Sequence, residues 1–169
     1  MVELRIRGLP APQGSKKHVG RGILVESSKR VKPWRTDIVT QSWDQYKSEP
    51  MTGPLEVEII FWFPRPVAHY RTALGKRTNT IKDNAPTHTT SAFDGDIDKV
   101  VRATLDGLSA KAGGCVIKDD SLVVKLSCEK RYVTRTEGCG ALIRVRESQY
   151  DSQRPSTDLC GNAEALVCQ

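Results

Sequence analysis

The residues whose types and spacing can do chemistry are Asp94, Asp96 and Asp98, alternating along Asp94-Gly95-Asp96-Ile97-Asp98, and the adjacent pair Asp119-Asp120 further on. In an extended segment alternate side chains share one face, so the first three point the same way. Like charges about 4 Å apart repel by roughly 4 kcal/mol at an effective dielectric of about 20. Gathering such acids requires protonation, basic neighbours or a divalent cation. The rest of the chain is basic, with a net charge of +6. A carboxylate cluster on a positive body points to metal-assisted hydrolysis of a polyanion.

The two clusters need an element between them that lets them meet. Residues 99–110 read as a helix with Val101, Leu105 and Leu108 on one face. From Asp98 to Ser109 it is roughly 16 Å long. The stretch from Ala110 to Asp120 extends up to about 36 Å, enough to return Asp120 to the helix N-terminus. The assembled site has oxygen donors only, which suits Mg²⁺ or Mn²⁺ and argues against zinc. Asp94-x-Asp96-x-Asp98 also matches the opening of an EF-hand loop. Lys99 and Leu105 stand where that loop requires Gly and Glu, so calcium is set aside. Asp98 alone fits a helix N-cap. Asp98, Arg102 and Asp106 share one helical stripe, either as an exposed ion-pair ladder or with Arg102 beside the cation site.

A chain of 169 residues with 38% apolar content supports one packed domain, placed at 1–146, with a polar tail at 147–169. The positive charge favours nucleic acid or an anionic membrane as partner. No apolar run approaches the ~20 residues that span a bilayer, which makes the membrane reading the weaker one. The N-terminal Met1–Arg7 alternates like a strand and lacks the apolar core of a signal peptide. Five cysteines in an odd count without CxxC spacing read as reduced thiols, so a cytoplasmic location is expected.

Along the chain, residues 2–9 read as a strand, Pro10–Lys17 as a turn and Gly22–Glu26 as a second short strand. A helix opens at Lys32-Pro33-Trp34 and runs to about Ser48, with Trp34, Ile38, Trp43 and Tyr46 inward. Trp34, Trp43 and Trp62 are assigned to the core. Leu55–Phe63 alternates clearly and is a strand. Arg65–Lys82 lacks apolar period and reads as a long mobile basic loop. Residues 122–132 and 141–146 read as hairpin strands closed by Thr134–Gly140. Candidate DNA contacts are Lys16, Lys17, Arg21, Lys29, Arg30 and Lys32, with Arg65, Arg71, Lys76, Arg77 and Lys82 of the loop. Tyr70 can stack on an unpaired base.

The run Asp96-Ile-Asp98-Lys-Val-Val-Arg102-Ala-x-Leu-Asp106-Gly-Leu, followed by Asp119-Asp120-Ser-x-Val-Val, resembles the signature of the RusA-type Holliday-junction resolvases, often encoded by phages or prophages. The opening Leu9-Pro-Ala-Pro12-Gln-Gly-Ser-Lys16 is similar to that family's Pro-rich N-terminal turn. The resemblance implies an α+β fold with a small mixed sheet and two main helices, forming a homodimer. It also implies binding of a four-way DNA junction and paired symmetric nicks that use Mg²⁺, in the host cytoplasm if the gene is phage-borne. The family's catalytic acids fall on Asp96, Asp98 and Asp120, and its essential basic residue on Arg102. Lys99 stands where the family often has Asn. Arg102 replaces a usual Lys, which keeps the charge but removes a deprotonatable group.

On this reading Asp96, Asp98 and Asp120 bind one or two Mg²⁺ ions, with Asp119 and Asp94 as further candidates. A water made acidic by the cation attacks the scissile phosphate in line and leaves a 5′-phosphate and a 3′-hydroxyl. Two other readings stay open: a non-catalytic DNA-binding module, and a metal-dependent nucleotide phosphohydrolase.

Overall fold

The computed structural model describes residues 1–14, 16–18, 24–26, 28–134 and 137–149. In chain order the elements are β1 (Val2–Arg7), β2 (Lys16–His18), β3 (Leu24–Glu26), α1 (Val31–Gln45), β4 (Leu55–Phe63), β5 (Tyr70–Ala73), β6 (Lys76–Ile81), α2 (Ile97–Leu108), β7 (Val123–Tyr132) and β8 (Gly140–Glu147). The fold is α+β, as expected. A four-stranded mixed sheet in the order β1-β8-β4-β7 carries both helices, and β2-β3 and β5-β6 form two small hairpins.

The centre of the sheet goes to the most apolar strand. Leu55, Val57, Ile59, Phe61 and Phe63 of β4 are all buried. β4 runs antiparallel to β8 and parallel to β7. The expected hairpin of residues 122–132 with 141–146 is therefore corrected: β4 lies between those strands. A run of alternate large apolar residues gains most at the position paired on both sides. β7, carrying Lys125, Glu129 and Lys130, takes the edge.

Both helices pack on one face and run parallel to each other. Trp34 Nε1 donates to Thr104 Oγ1 at 3.1 Å, with both side chains fully buried. Thr104 Oγ1 in turn donates to Val100 O. One step along, Ile38 lies against Gly107, where an added Cβ would sit 3.0 Å from Ile38 Cβ. Further still, Trp43 Nε1 donates to Gly113 O at 3.0 Å. Arg35 and Asp106 form an ion pair across the same contact.

Two expectations for α1 are corrected. The helix stops at Gln45, where Tyr46 turns extended, and not near Ser48. Trp43 is 54% exposed and is not core. It lies nine residues after Trp34, and nine steps of 100° end on the opposite side of a helix. Ser42 takes the inward place, in line with Val31, Trp34 and Ile38. Trp34 and Trp62 are buried as expected.

α1 also covers the outer edge of β1. The Gln45 side-chain amide accepts from Arg5 N and donates to Arg5 O, and Gln41 does the same for Arg7. Two glutamines thus occupy the backbone groups a neighbouring strand would use.

The segment Arg65–Lys82 is not a structureless loop. A 3-10 turn at Val67–His69 leads into the β5–β6 hairpin, which turns at Leu74 and Gly75 with φ of 51° and 72°. Two consecutive positive φ values mark a type I′ turn. Its strands are polar on both sides, so no period announced them. Lys16 and Lys17 likewise sit on a short strand rather than in the expected turn. No helix among the described residues is long and apolar enough to cross a membrane.

Trp34→Phe keeps most of the buried volume and removes the donor to Thr104. The expected loss is on the order of 1–2 kcal/mol of unfolding free energy in urea. An unchanged midpoint would show that the helix pair does not depend on this bond.

Candidate functional site

The first acidic cluster is built on Gly95. Gly95 has φ 78° and ψ 172°, and a Cβ there would run into the Pro12 ring. Only glycine combines that backbone with that neighbour. Lys130 Nζ of β7 donates to Gly95 O at 2.6 Å, and Gln13 N donates to Lys99 O at 3.0 Å. The Pro-rich N-terminal turn and the acidic run, far apart in sequence, therefore touch. Gly95, Pro12 and Lys130 position the acids and were not assigned that role from the sequence. The signal was present, as a lone glycine between two aspartates.

The three acids of this run have different fates. Asp94 is buried and accepts from Thr89 Oγ1 at 2.5 Å, a structural tie rather than an open ligand. Asp96, not Asp98, is the N-cap residue of α2, and it makes no side-chain cap bond. Its carboxylate turns outward to Lys99 Nζ at 2.6 Å. Asp98 lies in the first turn, exposed. The Lys99 ammonium beside Asp96, with a weaker contribution from Lys130, holds that carboxyl below the usual carboxylate range. Asp96 first, and then Asp98, raise Lys99 in return. The ladder Asp98–Arg102–Asp106 does not form, because Asp106 pairs with Arg35. Arg102 stands exposed on α2.

The second cluster lies at the other end of the helix. After α2 the chain returns with Ile117 beside Ser109, and Asp119 pairs with Lys111, just past the helix C-terminus. Lys111 and then Ser121, whose backbone N–H it accepts at 2.9 Å, hold Asp119 well below the usual range. Asp120 opens a 3-10 turn, is exposed, and adds to the field that raises Lys111. β7 then runs back along α2 until Lys130 meets Gly95. The expected return of Asp120 to the N-terminus of α2 within one chain is therefore corrected. The connection is long enough, but a strand packed on the preceding helix runs antiparallel to it, so it starts at the helix's far end. A helix of this length sets the two pairs about 18 Å apart or more. Among the described residues, no group of three or more His, Cys, Asp or Glu is placed to hold a metal ion.

The basic residues gather mainly at the Asp96 end. β1 and β4 both finish there, α1 and α2 both begin there, and the β5–β6 hairpin leaves from there. Lys29 and Lys32 are exposed at the start of α1. Arg30 donates to Phe93 O at 2.6 Å and lies over the Phe93 ring, tying α1 to the acidic run. Arg65 bonds Val133 O and Pro86 O and covers Tyr132, so it braces the hairpin's root. On the hairpin Arg71 pairs with Asp83, Arg77 lies over Tyr70, and Lys76 and Lys82 are exposed. Lys16 and Lys17 lie on β2, and Arg21 lies outside the described residues. The three cysteines among the described residues are free thiols.

Compared with known families, the chain matches the model described as Endodeoxyribonuclease RusA over residues 7–145. No curated protein matches it.

Replacing Lys99 with Met removes the main charge beside Asp96. The Asp96 carboxyl pKa is expected to move up towards the ordinary aspartate value in a carbon-detected NMR titration. A titration curve that does not move would assign the depression to another neighbour.

Proposed function

The chain belongs to the RusA endodeoxyribonuclease family, which resolves Holliday junctions, and on that premise we propose that it nicks four-way DNA junctions by paired symmetric cuts, leaving 5′-phosphate and 3′-hydroxyl ends. The observation that carries this reading is the pair Asp96 and Asp98. They are exposed carboxylates at the N-terminus of α2, on the same end of the sheet as Lys29, Lys32 and the basic hairpin.

The donor set of this reading is carboxylate oxygen throughout, which fits Mg²⁺, with Mn²⁺ as substitute. When bound, the cation lowers the pKa of a water and offsets charge on the scissile phosphate. Asp96 and Asp98 hold it in place, and Lys99 keeps Asp96 ionised and ready to do so. Asp120 is the third carboxylate and Asp119 orients it, although within one chain both lie at the opposite end of α2. Arg102 offsets charge on the leaving oxygen as a fixed cation. The N-termini of α1 and α2 point at this end; the free N–H groups of the first turn of α2 favour phosphate, whereas in α1 Val31 N donates to Ser28 O and Pro33 has no N–H. Lys16, Lys17, Arg21, Lys29, Arg30, Lys32, Arg65, Lys76, Arg77 and Lys82 are the candidate phosphate contacts, joined by Arg71 if its pairing with Asp83 opens.

Nicking of a synthetic four-way junction is expected with Mg²⁺ and not with EDTA, and much less on linear duplex or free nucleotides. Asp96→Asn should bind the junction at near wild-type strength and cut it at least 100-fold more slowly, by analogy with the loss of a positioned catalytic group. Retained cutting would remove Asp96 from the catalytic set. Changing Arg71, Lys76 and Arg77 together to Ala should lower the slope of log affinity against log salt by up to about 3. An unchanged slope would take the hairpin out of the DNA interface.

A further inference from the structure

Three phenylalanines occur in the chain, and two of them, Phe61 and Phe63, are fully buried. Phe93 is 65% exposed. This is not the exposure of a loose loop. Phe93 N donates to Ser91 Oγ at 3.2 Å, and Phe93 O accepts from Arg30 Nη2 at 2.6 Å. The next two residues close the same 3-10 turn, through Asp94 N to Ser91 O and Gly95 N to Ala92 O. Asp94 is buried and anchored on Thr89. With its backbone bonded on both sides and its neighbour fixed inside, the turn holds the Phe93 side chain in solvent.

The ring is also backed. The Arg30 guanidinium lies 4.1 Å from its centroid, well within cation–π range. Arg30 is the N-cap residue of α1, so the ring is tied to a helix as well as to the acidic run. Among the described residues Trp43 is open to solvent too, but its N–H is spent on Gly113 O, beyond the far end of α2. Tyr70 is half-buried on the hairpin. Phe93 stands three residues before Asp96, which bounds the separation of their Cα atoms at about 11 Å. Ile97, 36% exposed, follows Asp96 directly.

We propose that Phe93, backed by Arg30, recognises the branch point of the DNA by stacking its ring on a nucleobase at the crossover, while Asp96 and Asp98 face a neighbouring phosphate. This role rests on the junction reading above and adds the side chain that tells a branch from a duplex; it does not depend on the cuts. In a continuous duplex each base lies between two others, and a protein ring reaches a base face only by parting a stack, at a cost. Where strands change partners the continuous stack is interrupted, and a face is available. Every base has such a face, so the contact selects the branch and not the sequence. The surroundings suit this ligand. Lys29 and Lys32 flank Arg30 in the chain and are exposed, so the ring sits among cations that can hold a DNA backbone.

Binding to a labelled four-way junction and to linear duplex of matched sequence, read by fluorescence anisotropy in EDTA so that neither is cut, tests the contact. Phe93→Ala is expected to weaken junction binding at least about tenfold and to leave duplex binding unchanged. The slope of log affinity against log salt should also stay, because no phosphate contact is lost. Phe93→Trp should restore junction binding, and the emission it adds should be quenched by the junction and not by the duplex. Should Phe93→Ala fail to fold, that emission decides alone: a signal insensitive to the junction overturns the contact. Wild-type junction affinity in Phe93→Ala, in a protein that prefers the junction, would overturn the stacking role and leave the nuclease reading in place. So would an equal loss on both DNAs, or a changed molecular mass by light scattering, which would assign Phe93 to packing or to a contact between copies. A wild type that prefers the junction through Phe93 yet nicks none with Mg²⁺ would keep the contact and sink the nuclease reading. A wild type that binds both DNAs alike would sink both.

Discussion

The parallel packing of α1 on α2 is the constraint on which the rest of the structure depends. Parallel neighbours are held here by a buried indole N–H to hydroxyl bond and by a glycine that lets Ile38 come close. Because both helices start at the same end, the two helix N-termini, the acidic run and much of the basic surface share one end of the sheet. The glutamines of α1 meet β1, and Gly107 of α2 meets α1, so each contact fixes the height of the next. A sliding error of one turn would misplace about 5 Å of register and would part Arg30 from the carbonyl just ahead of the acids.

Electrostatics divide the acids into two attended pairs. Lys99 serves Asp96 and Asp98, and Lys111 serves Asp119 and Asp120. A lysine close to two carboxylates lowers the cost of gathering them while leaving oxygens available on the exposed side. Asp94 is handled differently: it is buried, and a threonine hydroxyl satisfies it. Of the five acids in two short runs, Asp96, Asp98 and Asp120 are exposed, Asp119 is largely covered and tied to Lys111 and Ser121, and Asp94 is buried.

Much of this was legible in the residues. The apolar phase of β4 is buried throughout, at Leu55, Val57, Ile59, Phe61 and Phe63, although Glu56 and Trp62 of the other phase are buried as well. The acidic run and its helix lie where the spacing placed them. Other features were hidden for identifiable reasons. β5 and β6 are polar on both sides, so alternation carried no signal, and only Leu74-Gly75 hinted at a turn. Strands 123–132 and 140–147 look like hairpin partners because they are neighbours in sequence, yet β4 inserts between them. The meeting of Asp120 with Asp96 failed for a subtler reason. Contour length says whether a chain can reach a point, whereas packing direction says where it goes. Trp43 was placed by its type and not by its angle, and its angle puts it on the far side of α1.

The two borders of the sheet are unlike. At β1, Gln41 and Gln45 mimic a neighbouring strand and fill the hydrogen-bonding groups of Arg5 and Arg7. A sheet sealed on one flank by its own helix cannot be extended from that flank. Strand addition to this sheet is therefore confined to the flank of β7, where the outer side of residues 124–129 pairs with no described segment. The seal rests on two neutral amide side chains, whose bonds salt does little to weaken.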